Sequence, residues 1–382
     1  MLNISTSFDS GAIEVVELPA GPAAPVHLKL AVRQDATTDP TCTFRQWFHF
    51  RLQGAKAKPC RIDLVNAGAC TYPRGWTDYQ AVASYDRCDW FRVPTRYDGQ
   101  VLTIDHTPLR DSVYYAYFEP YSNEQHLNLL GRMDASPFAR VERLGRTVDG
   151  RDLDAVVLGS QNAAARKIWV IARQHPGESM AEWFVEGMLD RLIDPADAVA
   201  RQLRAQATLY VVPNMNPDGS ARGNLRANAA GTNLNREWQV PSIERSPEVY
   251  CVREKMMGTG VDAFVDVHGD EALPYVFIAG NEMLPGFSSD HAARLNRFRE
   301  EFSRSSLDFQ SVHGYPVGEY AAEALKLASK FVGHTFGCLS VTLEMPFKDN
   351  ANDPDALKGW SGARSGRLGA AMLAPLFGTL AR

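Results

Sequence analysis

His175 and Glu178 have the residue types and the spacing of two ligands for one divalent metal ion. They follow an apolar run at 168–171 that predicts a buried strand, and a helical pattern comes after them. An imidazole and a carboxylate at this spacing, where a strand gives way to a helix, can both point at one ion. Ser179 and Glu182 match a capping box, which predicts that the helix begins at Ser179 and leaves Glu178 in the loop. A capped helix with an ordinary surface carboxylate is the alternative interpretation.

His268 is the candidate for a third ligand. Alternation along 262–268 places Val265 and Val267 on one face of a predicted strand and Asp266 and His268 on the other. A closely spaced pair with a distant third ligand is the usual layout of a catalytic zinc site, which keeps a fourth position open for water. The alternative is a core histidine bonded to a backbone carbonyl.

Glu344 is the candidate for the general base. A catalytic zinc lowers the pKa of a bound water to about 7, and a side chain must take the proton. Alternation along 339–345 puts Ser340, Thr342 and Glu344 on one face of an otherwise apolar strand. Burying an unpaired carboxylate is costly, so this position needs a functional reason, and burial should raise its pKa. The rival carboxylates are assigned to loops or to the surface: Glu271, Glu282, Glu319 and Glu323.

Arginines between the ligands are candidates for binding an anionic group. Arg226 and the pair Asn235-Arg236 lie in a polar segment that follows a turn signature at 216–219. A guanidinium fork matches a carboxylate with two hydrogen bonds, which a lysine cannot provide. A long polar loop with solvated arginines is the alternative.

The composition limits the class of protein. The chain has 382 residues, 45% of them hydrophobic, which is enough for two domains of roughly 100–200 residues each. Its 40 basic and 45 acidic residues argue against binding to nucleic acid or to an anionic membrane. The six cysteines form no close pair and are expected to be reduced thiols. Without a signal-peptide pattern or an apolar run long enough for a membrane span, we expect a soluble cytoplasmic protein, for which a homo-oligomer is possible.

Two regions with different patterns predict two domains. Residues 1–120 contain short strands, among them the alternating run at 26–33, and a hairpin signal at Asp98-Gly99, which together predict an antiparallel β-sandwich. Residues 121–382 alternate strands with helices, which predicts an α/β domain with a mixed, mostly parallel central sheet flanked by helices. Ligands gather at the carboxyl ends of the strands in such sheets. The predicted strands of this region are 167–172, 208–212, 262–267, 275–279 and 339–345, and its predicted helices are 179–193, 247–257, 290–303 and 362–374.

Taken in order, these motifs resemble those of the zinc carboxypeptidases of the carboxypeptidase A family, and most closely its cytosolic carboxypeptidase branch with the bacterial relatives. The resemblance covers residues 121–382, and the N-terminal region is similar to the sandwich that precedes the catalytic domain in that branch. It implies the zinc carboxypeptidase fold and hydrolysis of a C-terminal peptide or isopeptide bond. The matching segments are His175-Pro176-Gly177-Glu178, Asn216-Pro217-Asp218-Gly219, Arg226, Asn235-Arg236, His268 and Glu344.

The resemblance also implies the metal and the base. One zinc ion per chain would be bound by His175, Glu178 and His268. Glu344 would activate the zinc-bound water and later protonate the leaving amine.

The same resemblance implies how a substrate is held. Arg226 would stabilise the developing oxyanion. Asn235 and Arg236 would bind the terminal carboxylate of a peptide or protein, which makes the enzyme an exopeptidase. A tyrosine covers the bound substrate in this family; Tyr320 is the candidate here and Tyr315 is the alternative.

Some positions depart from the family pattern. Gly177 stands where digestive members have an arginine. Asn233 stands where many members have an aspartate that orients the first zinc histidine, and its side-chain oxygen can accept the same bond without charge. Lys326 and Lys330 could bring positive charge to a specificity pocket for glutamate, although a solvated helix face is the favoured interpretation.

Two other functions stay open at the level of the sequence. One is an amidohydrolase of the aspartoacylase or succinylglutamate-desuccinylase type, built on a related fold. The other is a non-catalytic peptide-binding relative, against which the intact ligands and Glu344 argue.

Overall fold

Short strands in two β-sheets make up the N-terminal part of the protein. The computed structural model describes residues 2–19, 25–319 and 321–380. The strands before residue 120 are β1 (Asn3–Ser5), β2 (Glu14–Glu17), β3 (Val26–Ala31), β4 (His49–Gln53), β5 (Cys60–Leu64), β6 (Val82–Ser84), β7 (Trp90–Arg92), β8 (Thr95–Tyr97), β9 (Leu102–His106) and β10 (Ser112–Ala116). Within the described residues, one sheet has the order β1-β4-β10-β6-β7 and the other β2-β3-β5-β9-β8. These strands pair antiparallel, except that β3 and β5 run parallel.

Alternating side chains fill the core of these sheets. Val26, Leu28 and Leu30 of β3 are buried, as the period-2 pattern predicts. Phe50 of β4 stacks on Tyr115 of β10, with ring centroids 5.3 Å apart. Large buried aromatic side chains of this kind contribute much of the apolar area that stabilises a sandwich.

The hairpin predicted at Asp98-Gly99 is confirmed. It joins β8 to β9, which pair antiparallel. The Asp98 carboxylate accepts hydrogen bonds from the amides of Gln100 and Val101 at 2.8 and 2.7 Å. Gly99 has a φ of 99°, a conformation that a side chain would strain.

Strands and helices alternate in the rest of the chain. The strands are β11 (Ala139–Arg146), β12 (Asp152–Gly159), β13 (Arg166–Ala172), β14 (Ala207–Val212), β15 (Ala263–Asp270), β16 (Phe277–Ala279) and β17 (Leu339–Pro346). The helices are α1 (Asn123–Asp134), α2 (Met180–Leu192), α3 (Ala198–Gln206), α4 (Pro217–Arg222), α5 (Pro247–Thr259), α6 (Ser289–Ser305), α7 (Ala328–Phe336), α8 (Gly362–Ala371) and α9 (Leu373–Gly378). Short 3-10 turns lie at Ala67–Ala69, Pro73–Trp76, Leu234–Arg236 and Ala322–Lys326.

A mixed sheet lies at the centre of this second region. Over the described residues it has seven strands, in the order β11-β12-β14-β13-β15-β17-β16. The neighbours β14, β13, β15 and β17 run parallel, whereas β11, β12 and β16 pair antiparallel. Every residue of β14 and β15 is buried, because helices α2 and α8 cover one face of the sheet and α5 and α7 cover the other. The predicted α/β class with a mostly parallel sheet is confirmed.

Glycines bring α2 and α8 into close contact. A Cβ at Gly187 would lie 2.0 Å from the carbonyl oxygen of Gly366, and a Cβ at Gly369 would lie 1.8 Å from that of Phe184. A side chain at either glycine would therefore force the two helices apart. The loop 173–179, which carries the candidate ligands His175 and Glu178 and is called the metal-ligand loop below, leads directly into α2. The contact between α2 and α8 therefore fixes one side of the candidate site.

The carboxyl ends of three parallel strands bring the candidate site residues together. His175 follows shortly after the end of β13 at Ala172. His268 and Glu344 are direct partners in the parallel register of β15 and β17. The C-terminal end of the sheet thus presents the candidate ligand and the candidate base side by side.

The cysteines and helices agree with two expectations from composition. All six cysteines are free thiols, and each lies among the described residues. Over the described ranges, no helix combines the length and the apolar character needed to cross a bilayer.

Candidate active site

A buried arginine shapes the loop between β13 and α2. Arg173 has a φ of 57°, in the left-handed region that residues other than glycine rarely adopt. Its guanidinium donates to the carbonyl oxygens of Pro176 and Tyr121, both at 2.9 Å, and pairs with the Glu182 carboxylate at 2.7 Å. These contacts hold the metal-ligand loop against the end of the sheet.

The predicted capping box is wrong. Ser179 is the N-cap of α2, but its hydroxyl donates to the carbonyl oxygen of Glu119 at 2.8 Å. Glu182 is committed to the buried ion pair with Arg173 and does not reach back to the amide of Ser179. Glu178 nevertheless precedes the helix, as the sequence predicts.

His175, Glu178 and His268 converge on one point. The Glu178 carboxylate oxygens lie 2.6 Å from Nδ1 of His175 and 2.8 Å from Nδ1 of His268, and the two Nδ1 atoms are 3.2 Å apart. One potential ligand atom from each side chain lies within 4.8 Å of the others. All three side chains are buried. The structure therefore brings the three predicted ligands together.

The second nitrogen of each imidazole is held by another side chain. Nε2 of His175 lies 3.1 Å from Oδ1 of Asn233, and Nε2 of His268 lies 2.9 Å from a carboxylate oxygen of Asp266. Both oxygens are acceptors, so each Nε2 carries the proton and each Nδ1 presents its lone pair. Lone pairs and a carboxylate facing one another at these distances would repel unless a proton or a metal ion lay between them. This donor set, two nitrogens and a carboxylate, fits a zinc ion.

A buried chain of hydrogen bonds fixes Asp266. The Gln174 side chain donates to both carboxylate oxygens of Asp266, at 2.9 and 2.8 Å, and accepts from the indole N–H of Trp238 at 2.8 Å. Because Asp266 in turn contacts Nε2 of His268, these hydrogen bonds fix the orientation of the His268 ring. Sequence reasoning assigned no role to Asp266, although its place on the same strand face as His268 was an available signal.

The pKa shifts of His175 and Glu178 suit metal ligands, whereas His268 differs: burial lowers its pKa, but Asp266 and Glu178 raise it well above its ordinary value in the absence of a metal. Burial, together with the charge of Arg226, lowers the pKa of His175 to about 3. Burial alone would raise the pKa of Glu178, but His175 and His268 lower it more, so it lies below its ordinary value. A neutral His175 and an ionised Glu178 are the forms that bind a metal.

Glu344 faces the same cavity from β17. It is 6% exposed, and its Oε2 has no hydrogen-bond partner among the described residues. Burial raises the pKa of Glu344 well above its ordinary value, and Glu178 raises it further against the lowering effect of His268. A buried carboxyl group with a free oxygen beside the candidate metal centre can take up a proton and return it.

A cavity of about 750 Å³ opens onto the metal centre. The predicted residues Glu344, Arg226, Asn235 and Arg236 all line it. The segment 71–75 of the N-terminal region forms part of its wall. Both regions of the chain therefore build this cavity.

Arg226 and Arg236 enter the cavity with no carboxylate partner among the described residues. The guanidinium carbon of Arg226 lies 5.5 Å from the ring centroid of Tyr72, and Nη1 of Arg236 donates to the carbonyl oxygen of Asn235 at 2.6 Å. Burial lowers the pKa of Arg236, and the charge of Arg226 adds to this effect. Two uncompensated guanidinium groups in one cavity suit an anionic ligand.

Asn235 is fixed by the start of α7. Its Oδ1 accepts a hydrogen bond from the amide of Ala328 at 2.8 Å. Its Nδ2 lies 3.4 Å from Nε2 of His268, next to the metal centre. The side-chain amide is therefore oriented with its donor group toward the site.

The structure describes one of the two candidate tyrosines. Tyr320 lies outside the described residues. Tyr315 lines the cavity, and its hydroxyl donates to the Asp270 carboxylate at 2.5 Å.

Two charged side chains are buried at the cavity, and the solvated helix face favoured for Lys330 is wrong. Lys330 is 9% exposed and lines the cavity, because it lies on the buried side of α7, where its ammonium donates to the carbonyl oxygen of Gly280. Lys326, in contrast, is exposed. Glu271 directly follows β15, so it is buried at the cavity, 8% exposed.

Family models match both regions of the chain. Residues 4–118 match the cytosolic carboxypeptidase N-terminal domain, and residues 130–354 match the zinc carboxypeptidase model. The chain belongs to the zinc carboxypeptidase family. It is therefore a hydrolase of the metallocarboxypeptidase class.

Bacterial proteins are similar to the chain over nearly its whole length. The metallo-carboxypeptidase from Burkholderia cenocepacia is 54% identical, with a TM-score of 0.95, covering 99% of this chain and 99% of its own. The metallo-carboxypeptidase from Pseudomonas aeruginosa, solved in complex with (2-guanidinoethylmercapto)succinic acid, is 46% identical, with a TM-score of 0.93, covering 99% of this chain and 100% of its own. An uncharacterized protein of Zymomonas mobilis is 46% identical over 375 residues, which is 98% of this chain and 96% of its own.

Proposed function

We propose that this metallocarboxypeptidase uses zinc and Glu344 to hydrolyse the C-terminal peptide or isopeptide bond of a peptide or protein. The observation that supports this most is one cavity that contains three convergent metal ligands, a buried carboxyl group and two unpaired arginines. The ligands and base suit hydrolysis of an amide bond. The arginines suit a substrate that ends in a free carboxylate.

His175, Glu178 and His268 are proposed to bind one zinc ion. When bound, the ion would act as a Lewis acid that polarises the scissile carbonyl and lowers the pKa of the attacking water. Asn233 and Asp266 orient the two imidazoles, and such partners typically change metal affinity or activity by about 10- to 100-fold.

Glu344 is proposed as general base and then general acid. Its unpartnered Oε2 accepts the proton of the attacking water and delivers it to the nitrogen of the leaving amine. A raised pKa helps the second step, because a more basic carboxylate holds the proton until the C–N bond breaks. Arg226 donates to the carbonyl oxygen as negative charge develops there, and losing one such donor typically costs about 100- to 1,000-fold in rate.

Arg236 and Asn235 are proposed to bind the terminal carboxylate. Arg236 brings a bidentate cation, and Asn235 brings an N–H donor that α7 holds in place. The Pseudomonas aeruginosa relative is named as a complex with a substituted succinic acid, which also carries carboxylates.

The C-terminal side chain is proposed to be acidic. Lys330 and Arg299 line the cavity beyond the candidate metal centre, and of these two only Arg299 has a carboxylate partner among the described residues, Glu282 at 2.9 Å. The positive charge of Lys330 is therefore available to pair with a ligand in the cavity. A largely buried ammonium interacts strongly with a carboxylate that displaces its remaining water.

The test is an assay of blocked peptides that end in glutamate, leucine or lysine, each as the free acid and as the amide, with and without a zinc chelator. We expect release of the last residue from free acids only, fastest for glutamate, lost with chelator and restored by zinc. Amides should react at least about 100-fold more slowly, because they leave the arginines unpaired. Equal rates on acids and amides, or cleavage inside the peptide, would contradict the carboxypeptidase assignment. Equal rates on the three free acids would contradict only the acidic pocket.

A further inference from the structure

The segment that carries Arg226 lies between the metal-ligand loop and the N-terminal region. On one side, the carbonyl oxygen of Leu225 accepts a hydrogen bond from the amide of Gly177 at 2.9 Å. A Cβ at Gly177 would lie 3.0 Å from that oxygen, so the glycine lets the two segments come close. On the other side lies Asp35, which comes from the N-terminal region and is 8% exposed.

The Asp35 carboxylate accepts hydrogen bonds from three consecutive backbone amides. Oδ1 accepts from Leu225 at 2.6 Å, and Oδ2 accepts from Arg226 at 2.9 Å and from Ala227 at 2.8 Å. Burial raises the pKa of Asp35 to about 6 even though these amides lower it, so the group is ionised at neutral pH. As an ionised carboxylate it is an acceptor for every one of these amides, and charge-assisted bonds of this type are about twice as strong as neutral ones.

The Arg226 side chain depends on this backbone for its position. Its guanidinium stacks against Tyr72 at 5.5 Å from the ring centroid and has no carboxylate partner among the described residues. The backbone restraint by Asp35 and the aromatic contact by Tyr72 both come from the N-terminal region. A donor aimed at a developing oxyanion must be held within a fraction of an ångström, because a misplacement of about 1 Å can cost about 100-fold in rate.

We propose that Asp35 is a positioning residue for catalysis: through the amides of 225–227 it places the Arg226 guanidinium at the carbonyl oxygen of the scissile bond. The inference rests on the proposed role of Arg226. It also gives the N-terminal region a catalytic purpose, since that region supplies the group that aligns the oxyanion donor.

The central experiment compares Asp35→Asn with Arg33→Met. Asparagine keeps the shape of the side chain but turns an N–H2 group toward an amide donor, so at least one of the three bonds is lost. Arg33 belongs to the same segment and donates to the carbonyl oxygen of Arg222 at 2.6 Å, so its loss weakens the same contact between regions without touching Asp35's amides. A second variant, Asp35→Ser, removes the charge with a smaller side chain. All proteins are compared at equal folded, zinc-loaded concentration, by circular dichroism and metal content.

We expect Asp35→Asn to lower kcat by about 10- to 100-fold on a blocked peptide ending in glutamate, with little change in KM. The affinity for a non-hydrolysable analogue that binds through its terminal carboxylate should stay within about 3-fold of the original, because Arg236 is not disturbed. Arg33→Met should retain kcat within about 3-fold.

A double-mutant cycle with Arg226→Gln separates positioning from general damage. If Asp35 acts through Arg226, then Asp35→Asn should change kcat by less than about 2-fold once Arg226 is glutamine. An undiminished effect in that background, or an equal loss in Arg33→Met, would overturn the inference. If Arg226→Gln itself leaves kcat unchanged, the proposed role of Arg226 fails instead. If Arg226→Gln is impaired but Asp35→Asn is not, only the positioning role fails.

Discussion

Lys330 is a buried cation whose charge state should control which C-terminal residue is removed. Burial lowers the pKa of Lys330 to about 8; Glu282 opposes this change and Arg299 adds to it. The ammonium is therefore charged below about pH 8 and loses its proton as the pH rises through that value. We expect the ratio of kcat/KM for peptides ending in glutamate over leucine to fall across this range, by about 10-fold or more.

Lys330→Met and Lys326→Met are the matched variants for this prediction. Lys330→Met should have a low glutamate preference that no longer changes near pH 8. Lys326→Met, at an exposed position of the neighbouring 3-10 turn, should behave as the original protein. A pH-dependent glutamate preference that persists in Lys330→Met would show that another group provides it.

Some residues of the candidate site could be predicted from the neighbouring sequence, and others could not. Glu344 could be predicted because a carboxylate in an apolar strand needs a function. Asp35 could not, because its partner Leu225 is 190 positions away in the chain and nothing local indicates which amides it meets. Glu271 could not be separated from a surface carboxylate, because its burial depends on Gly75 of the N-terminal region packing against it.

At the scale of elements, the packing of α2 on α8 should be sensitive to one methyl group. In Gly369→Ala the new Cβ would lie 1.8 Å from the carbonyl oxygen of Phe184, so the helices must separate. We expect a loss of about 1–3 kcal/mol in the free energy of unfolding, although alanine is the better helix former. Urea unfolding measures this, and zinc affinity should fall as well because α2 follows Glu178.

Gly366→Ala is the control on the same helix. Its Cβ would have no neighbour closer than the carbonyl oxygen of Trp183 at 3.5 Å, an ordinary contact. Stability should stay the same or rise by up to about 1 kcal/mol. Equal destabilisation by both substitutions would mean that the close contact seen at Gly369 is not what limits the packing.

The elements that the sequence predicted are those with a strong apolar pattern. The strands β13 and β14 were found because burial on both faces leaves continuous apolar runs, and β15 and β17 were found because apolar and polar residues alternate along them. Edge strand β11 was missed because none of its residues is buried and it contains charged residues such as Arg140 and Glu142. The helix predicted at 362–374 is divided into α8 and α9 at Met372, because Pro375 has no amide hydrogen to donate to the carbonyl oxygen of Ala371, four residues earlier.

At the scale of the whole molecule, the N-terminal region forms part of the candidate active site. It provides the cavity wall at 71–75, the Tyr72 ring against Arg226 and the Asp35 carboxylate. The strand pattern of this region predicted a sandwich but not the parallel pairing of β3 with β5, since alternation is the same in parallel and antiparallel strands. Contacts between the two regions depend on tertiary packing, which local patterns do not define.

Glu344 is proposed to serve as the base beside a zinc ion held by His175, Glu178 and His268. The most direct measurement is turnover and zinc content of Glu344→Gln beside Glu271→Gln, which alters the rival buried carboxyl group of the same cavity. We predict that Glu344→Gln keeps one zinc per chain and loses at least about 1,000-fold in kcat, while Glu271→Gln remains active within about 10-fold. A zinc-loaded Glu344→Gln protein with near-normal turnover, or loss of turnover in Glu271→Gln alone, would contradict the account.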